Sequence, residues 1–171
     1  TTCRKPVIAA VSVYAVGAGA GIALLADTVV MGEGATIGFP FFRVGLVPDY
    51  GIFFSLPRRV GVARARQILL YARMVKGKDA YDIGLADELV DDDEVEARAV
   101  ECAQELAAMP PHAFAIAKRQ LGLWPTSLEG ALEMEAMGQS ICRETDFHRE
   151  AVRRFAAKEP ALYDWDGMVA A

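Results

Sequence analysis

The sequence of 171 residues predicts an α/β fold, with a body of mixed strands and helices followed by a helical C-terminal region. A continuous apolar run over 6–13, rich in Val and Ile, is typical of a strand buried on both faces. A turn of alternating glycine and alanine follows and leads into a short apolar helix. From Asp93 onward the apolar spacing is helical almost to the end, which divides the chain into 1–92 and 93–171.

Glycine and proline residues punctuate the first of these regions. The pattern predicts, in order, a helix over 19–26, a strand over 27–31, an irregular segment over 35–48, a helix from Tyr50 that Pro57 ends, a helix over 61–74, a short helix over 80–84 and a strand over 86–90. In the helical region, Pro110-Pro111 separates two helices. Asp146 is predicted to cap a final amphipathic helix. The apolar stripe of that helix consists of Phe147, Ala151, Val152, Phe155 and Ala156.

Composition argues against several classes of protein. The hydrophobic fraction of 53% supports one real core at this length. The net charge is −5 and basic residues are scattered, which argues against nucleic acid as a partner. The longest apolar run is too short and too interrupted for a membrane-spanning helix, and no signal segment opens the chain. We therefore expect a cytoplasmic protein with no membrane partner.

Cysteine and histidine usage points away from metal chemistry. Cys3, Cys102 and Cys142 show no metal-ligand spacing and are interpreted as reduced thiols. The histidines, His112 and His148, lie far apart in the sequence, so we expect neither a metal site nor a histidine-based triad. The sequence starts without Met and enters a core strand almost at once. We expect that the N-terminal part of the fold is missing from it.

The glycine turn, Gly17-Ala18-Gly19, permits two interpretations. Small residues at a helix start let backbone N–H groups face a ligand, as in an oxyanion site, and the helix dipole adds partial positive charge. The same residues are equally typical of a tight strand-to-helix turn with close packing. A dinucleotide-binding loop fits poorly, because Ile22 stands where the last glycine of G-x-G-x-x-G would be.

A second candidate is Asp49, which lies between Pro48 and a Tyr-Gly pair. Its stretch of sequence contains Phe39, Phe41, Phe42, Phe53 and Phe54. Aromatic surroundings can raise the pKa of a carboxyl group, which would suit a proton shuttle. Alternatively, Asp49 caps the helix that begins at Tyr50. The two functions are compatible, and both stay open.

Taken together, these segments resemble the enoyl-CoA hydratase/isomerase (crotonase) superfamily. The resemblance begins at KPVIAAVSVYAVGAGAGIALLAD and continues through ATIGFPFFRVGLVPDYG, SLPRRVGVARARQILLYAR and AYDIGLADELV to HREAVRRFAAKEPAL. It implies a spiral of ββα turns in 1–92, carrying the acyl-CoA site, and a helical region for trimerisation in 93–171. The family's first turns, with a loop that holds one oxyanion donor, have no counterpart here.

The resemblance implies a function for the glycine turn. Its middle residue, here Ala18, donates its backbone N–H to the thioester oxygen of an acyl-CoA, and the flanking Gly17 and Gly19 let the substrate come close. Hydratases of the family use two glutamates to activate and deliver water. At the matching positions this chain has Gly21 and Phe41, so ordinary hydration is not expected.

Asp49 matches the single acid of an isomerase branch that includes Δ3,Δ2-enoyl-CoA isomerases and 1,2-epoxyphenylacetyl-CoA isomerase. The resemblance then implies an acyl-CoA isomerase in which Asp49 carries the proton. Phe41 and Pro48 contribute to its pocket.

The resemblance also implies partners. On the last helix, Phe155 and Lys158 match a Phe and a Lys that reach the adenine end of CoA. A homotrimer or hexamer is implied, and no cofactor is expected, since CoA is part of the substrate. Three alternatives remain: a hydratase-like enzyme, a dehalogenase-like enzyme with Asp49 as nucleophile, and a truncated or degenerate subunit that binds without turnover.

Overall fold

A computed structural model describes residues 3–124 and 127–162. They form two compact units, which are described separately. The first, the sheet unit, is Val7–Ala103. The second, the helical unit, contains the described residues of Gln104–Ala171 and of Thr1–Pro6. The division of function at residue 92, with the acyl-CoA site in 1–92 and trimerisation in 93–171, stays a prediction.

The sheet unit contains two small sheets. In the first, strand β3 (Thr28–Gly32) lies between β1 (Ile8–Val11) and β6 (Glu88–Val90), and both pairings are parallel. In the second, β4 (Thr36–Gly38) pairs in parallel with β2 (Tyr14–Val16) and antiparallel with β5 (Met74–Lys76). Parallel neighbours require crossover connections, which the intervening helices and turns supply.

Four helices connect these strands: α1 (Ala18–Ala23), α2 (Ile52–Val60), α3 (Val62–Leu70) and α4 (Gly77–Asp82). A 3₁₀ turn, Phe41–Val44, follows β4. The core between them is apolar. Its completely buried large side chains are Phe39, Met31, Ile37, Ile52, Leu56, Leu85 and Val29, whereas Val30 packs in a second cluster with Val95, Ala99 and Cys102.

The helices of the C-terminal region follow in order. Helix α5 (Val95–Ala107) crosses the division between the units, and α6 (Pro111–Leu123), α7 (Leu128–Arg143) and α8 (Asp146–Ala157) lie in the helical unit. Helix α7 packs closely on α6, because a Cβ added at Gly138 would lie 3.0 Å from Cγ2 of Ile116. In the described part of the chain, no helix is both long and apolar enough to cross a bilayer.

Several predicted boundaries are wrong. Pro57 lies inside α2 and does not end it. Strands β2, β4 and β5 replace predicted loop or helix, and α3 ends at Leu70 rather than at 74. Strand β1 is not buried on both faces, because Ala10 is exposed whereas its neighbour Val11 is buried. Asp146 is the first residue of α8, not its cap. The cap is Thr145, whose hydroxyl accepts from the His148 N–H at 3.2 Å.

Candidate active site

The glycine turn begins helix α1 with an unusual backbone conformation. Gly17, at φ 59° and ψ −118°, is the N-cap, and its N–H donates to the carbonyl of Gly38 at 2.9 Å. The first bond of the helix follows, from the Gly21 N–H to the Gly17 carbonyl at 3.1 Å. Ala18 is the first helical residue, and helix geometry gives its N–H no acceptor within the helix. This amide is therefore available to a ligand.

Phe41 covers the glycine turn. The side chain is buried, with 9% of its surface exposed. Its Cζ atom lies 3.8 Å from the position that a Cβ on Gly17 would occupy. The carbonyl of Gly38 accepts the hydrogen bond from Gly17, and the sulfur of Met74 packs on Gly38. The packing around the turn at Gly17 and Gly38 is thus apolar and close.

The segment carrying Asp49 packs against α1 at Gly21. A Cβ added at Gly21 would lie 2.7 Å from Cβ and 3.1 Å from the carbonyl oxygen of Tyr50. The position of a Cβ on Gly51 lies 3.7 Å from Leu25, one turn further along. Ala18 and Gly21, three residues apart, share a face of the helix. The fold therefore brings the glycine turn and the Asp49 segment together.

Asp49 does not cap α2, contrary to one of the two predictions for it. The helix begins at Ile52, its N-cap is Gly51, and no side chain makes a capping hydrogen bond there. Asp49 contributes its carbonyl instead, which accepts from the Ile52 N–H at 3.1 Å. Its side chain is exposed next to the buried Pro48. Its carboxylate has no hydrogen bond or ion pair to any residue of 3–124 or 127–162.

The aromatic surroundings predicted for Asp49 are only partly buried. Phe39 and Phe41 belong to the core. Phe42, Phe53 and Phe54 are exposed, together with Val44, Leu46 and Val47. The stretch of chain on either side of Asp49 therefore exposes several apolar side chains. The sequence did not predict the contact of Tyr50 with Gly21, although the Tyr-Gly pair after Asp49 was a signal for a tight turn.

Phe155 and Lys158 lie at the end of α8 in the helical unit. Phe155 is 88% exposed, and Lys158 is the left-handed C-cap, at φ 56°. None of the residues of α8 is buried, so the predicted apolar stripe lies at the surface of the described chain. The binding of CoA by Phe155 and Lys158 stays a prediction.

Ion pairs fix the charge of two glutamates. The Arg98 guanidinium, hydrogen-bonded to Glu88 at 2.6 Å and 3.0 Å, lowers the pKa of that carboxyl; burial opposes this shift, and the Cys102 thiol assists it. On α8, hydrogen bonds from Arg153 and Arg154 lower the pKa of Glu150 to about 2. Both glutamates stabilise local structure and lie outside the glycine turn and the Asp49 segment.

A family description, Enoyl-CoA hydratase/isomerase, matches residues 1–166. The chain belongs to this family. A curated relative from Rhodobacter capsulatus named "Probable enoyl-CoA hydratase" is 40% identical over 162 residues, which cover 93% of this chain and 62% of the relative. The 1,2-epoxyphenylacetyl-CoA isomerase of Escherichia coli K12 is 34% identical over 155 residues, covering 90% of this chain and 59% of the relative.

A solved structure supports the same assignment. The enoyl-CoA hydratase/isomerase from Cupriavidus metallidurans CH34 superimposes with a TM-score of 0.89 at 34% identity, over 95% of this chain and 62% of that one. The predicted crotonase-like α/β fold is confirmed. The chain spans about three fifths of the length of the curated relatives that it matches.

Proposed function

We propose that this enoyl-CoA hydratase/isomerase family member is an acyl-CoA isomerase that moves a double bond. The Asp49 carboxylate takes a proton from C2 of a 3-enoyl-CoA, which leaves a dienolate with its negative charge on the thioester oxygen. The Ala18 N–H donates to that oxygen. Asp49 then returns the proton at C4, so the product is the 2-enoyl-CoA and no proton is gained or lost.

One observation carries the proposal: the two positions at which the family's hydratases hold acids bear none here. Phe41 is a buried aromatic residue. Gly21 has no space for a side chain, because Tyr50 stands 2.7 Å from where its Cβ would be. Asp49 lies on the segment that packs against α1, and its exposed carboxylate makes no hydrogen bond or ion pair to the described residues. A single carboxylate suffices for a proton transfer from C2 to C4.

The Ala18 amide supplies the electrostatic part of this mechanism. A donor aimed at a developing oxyanion contributes about 3 kcal/mol in comparable sites. The group is a backbone N–H, so the alanine side chain does not take part, provided that the turn keeps its geometry. Gly17 and Gly19 place no side chain of their own beside this amide.

Other parts of the proposal extend to binding and assembly. Phe155 and Lys158 are proposed to bind the adenine end of CoA, and the protein is proposed to be a cytoplasmic homotrimer or hexamer. The proposed reaction needs no cofactor, because CoA is part of the substrate. Among the described residues, no group of three or more His, Cys, Asp and Glu side chains is arranged to hold a metal ion.

Hydration is the second candidate function. It is favoured by the relative that is 40% identical and bears a hydratase name. In a hydratase, Asp49 would have to activate the water and deliver its proton without a second acid at Gly21 or Phe41. The two functions differ in the substrate that they consume, which makes them separable.

The test uses protein expressed from its complete reading frame, offered 3-enoyl-CoA and 2-enoyl-CoA separately. Absorbance of the conjugated thioester should rise with the first substrate and stay constant with the second. Asp49→Asn should abolish the rise, whereas Asp93→Asn, which changes an exposed carboxylate before α5, should leave it intact. Loss of absorbance from 2-enoyl-CoA would instead establish a hydratase, and its survival in Asp49→Asn would show that Asp49 does not activate the water.

A further inference from the structure

The segment that follows Asp49 is a tight turn with both central residues in the left-handed region. Tyr50 has φ 48° and Gly51 has φ 74°, and the Ile52 N–H closes the turn on the Asp49 carbonyl at 3.1 Å. Positive φ at both central positions is the arrangement of a type I′ turn. Glycine adopts it readily, but a tyrosine does so only where its surroundings hold it there.

Gly21 provides those surroundings. Its missing side chain leaves a gap on α1 that Cβ and the carbonyl oxygen of Tyr50 fill, at 2.7 Å and 3.1 Å from the position of a Cβ on Gly21. Cγ1 of Ile52 closes the same gap at 3.2 Å. Gly21 is buried, so the contact is part of the packed structure rather than a surface touch. Helix and turn are thus in backbone contact at this point.

We infer that Gly21 is a positioning residue, which holds the Tyr50 turn, and with it the Asp49 carboxylate, at the correct separation from the Ala18 amide. The Gly21 N–H is bonded to Gly17 within the first turn of α1, so Gly21 is rigidly linked to the oxyanion donor. Asp49 is the first residue of the turn that rests on Gly21. The inference rests on the proposed function, since both groups act on one substrate. Gly21 thus has a function of its own, in addition to lacking the carboxylate that hydratases have at this position.

The inference predicts an outcome opposite to that expected from helix propensity. Alanine is normally favoured over glycine inside a helix. In Gly21→Ala, however, the new methyl group must displace the Tyr50 turn. Because a shift of about 1 Å in a catalytic group can cost about 10²-fold in rate, kcat should fall by about that factor with KM little changed.

A second-site variant separates positioning from stability. Tyr50→Gly removes the clashing Cβ while keeping a residue that favours positive φ. Tyr50→Gly alone should lower kcat, because the contact is lost. The double variant Gly21→Ala, Tyr50→Gly restores a contact from the opposite side, so its kcat should exceed that of Gly21→Ala. Such non-additivity is expected for residues that are in contact or coupled through a shared backbone shift, and not for distant, independent sites.

The experiment measures kcat and KM for 3-enoyl-CoA in the protein from its complete reading frame, with kcat expressed per binding site titrated calorimetrically with CoA. Gly122→Ala on α6 is the matched control and should leave both constants unchanged, since a Cβ there meets no atom within 4 Å. If Gly21→Ala does not fold, the positioning function of Gly21 is tested by comparing kcat of Tyr50→Gly with kcat of the double variant. The double variant should then be at least as active as Tyr50→Gly.

The outcomes are distinguishable. A wild-type kcat that Gly21→Ala leaves unchanged, or rate losses that simply multiply in the double variant, would overturn the positioning function of Gly21 while the isomerase proposal stands. Wild-type protein without activity on 3-enoyl-CoA would overturn the proposed function, and the inference with it. Recovery in the double variant, with CoA sites titrating equally in all variants, is the result that we expect.

Discussion

The backbone N–H of Gly17 donates to the carbonyl of Gly38 at 2.9 Å, and this bond joins the glycine turn to the end of β4. It fixes where α1 starts relative to the second sheet. The amide proposed to bind the thioester oxygen is the next one along the chain, that of Ala18. The position of the oxyanion donor therefore depends on a bond between two glycines.

Gly17→Ala should destabilise the protein, because φ 59° with ψ −118° is accessible essentially to glycine alone. We expect a loss of about 1–3 kcal/mol in the free energy of unfolding. Denaturant titration followed by circular dichroism measures it. Gly19→Ala, in the same helix with nothing within 4 Å of its Cβ, should instead be neutral or stabilising. Equal losses in the two variants would contradict the conformational explanation.

Phe41→Ala should lower the free energy of unfolding by about 3–5 kcal/mol, the range for removing a buried aromatic side chain. Phe42→Ala is the natural control, because Phe42 is its neighbour in the sequence and is 44% exposed. The control should lose clearly less. The pair can be compared in parallel urea titrations, and similar midpoints would mean that Phe41 does not anchor the packing around the glycine turn.

Asp87 binds two partners of unequal importance. Its carboxylate accepts from the Val29 N–H at 2.7 Å and pairs with Arg59 at 3.0 Å, where the Arg59 side chain is 15% and the Asp87 side chain 41% exposed. Asp87→Ala should cost about 1–3 kcal/mol, because it leaves the N–H of Val29 without its acceptor. Arg59→Met should cost less, about 0.2–1 kcal/mol, because the Asp87 side of the pair is open to solvent and the Val29 N–H keeps its acceptor. Thermal denaturation of both variants measures the difference. A larger loss of stability in Arg59→Met than in Asp87→Ala would contradict this interpretation.

Glu88 should make stability depend on pH in acid. Its folded pKa is lowered from 4.5, chiefly by the hydrogen bond from Arg98, so the ionised form is favoured in the folded state. This contribution is complete above pH 4.5 and is lost as the pH falls through the lowered folded pKa. Urea unfolding from neutral to acid pH should show a shallower decline in Glu88→Gln. Glu96→Gln, on the exposed side of α5, should decline like the wild type.

The long elements of the fold were predictable, and most of the short ones were not. Strand β3 and the C-terminal helices carry enough residues for periodicity to show, and β6, with three residues, was indicated by the apolar residues that follow Gly84. Strands β2, β4 and β5 have three residues each, too few for alternation to be recognised. Pro57 loses only one backbone hydrogen bond in α2, and the packing of Leu56 and Ile52 in the core keeps the helix intact past it.

The candidate site divides in the same way. Gly17, Ala18 and Asp49 could be selected from the residues and from the family resemblance. The contact between Gly21 and Tyr50 could not, because it joins segments distant in the sequence and depends on the left-handed backbone of Tyr50. Local patterns carry no information on such a contact. Thr145 was missed as a cap for a simpler reason: it and Asp146 are both good caps, and the geometry selects only one.

The parallel pairing of β3 with β6 has a consequence for the order of folding. The Val29 N–H and the Asp87 carboxylate, which join the two strands, are 58 positions apart. Closing so long a stretch of chain costs entropy that is regained only when β6 docks. Sheets assembled from distant segments fold slowly for this reason. We expect β6 to join last, onto a β1–β3 pair and an α1 that already exist, so that the glycine turn forms before the unit is closed.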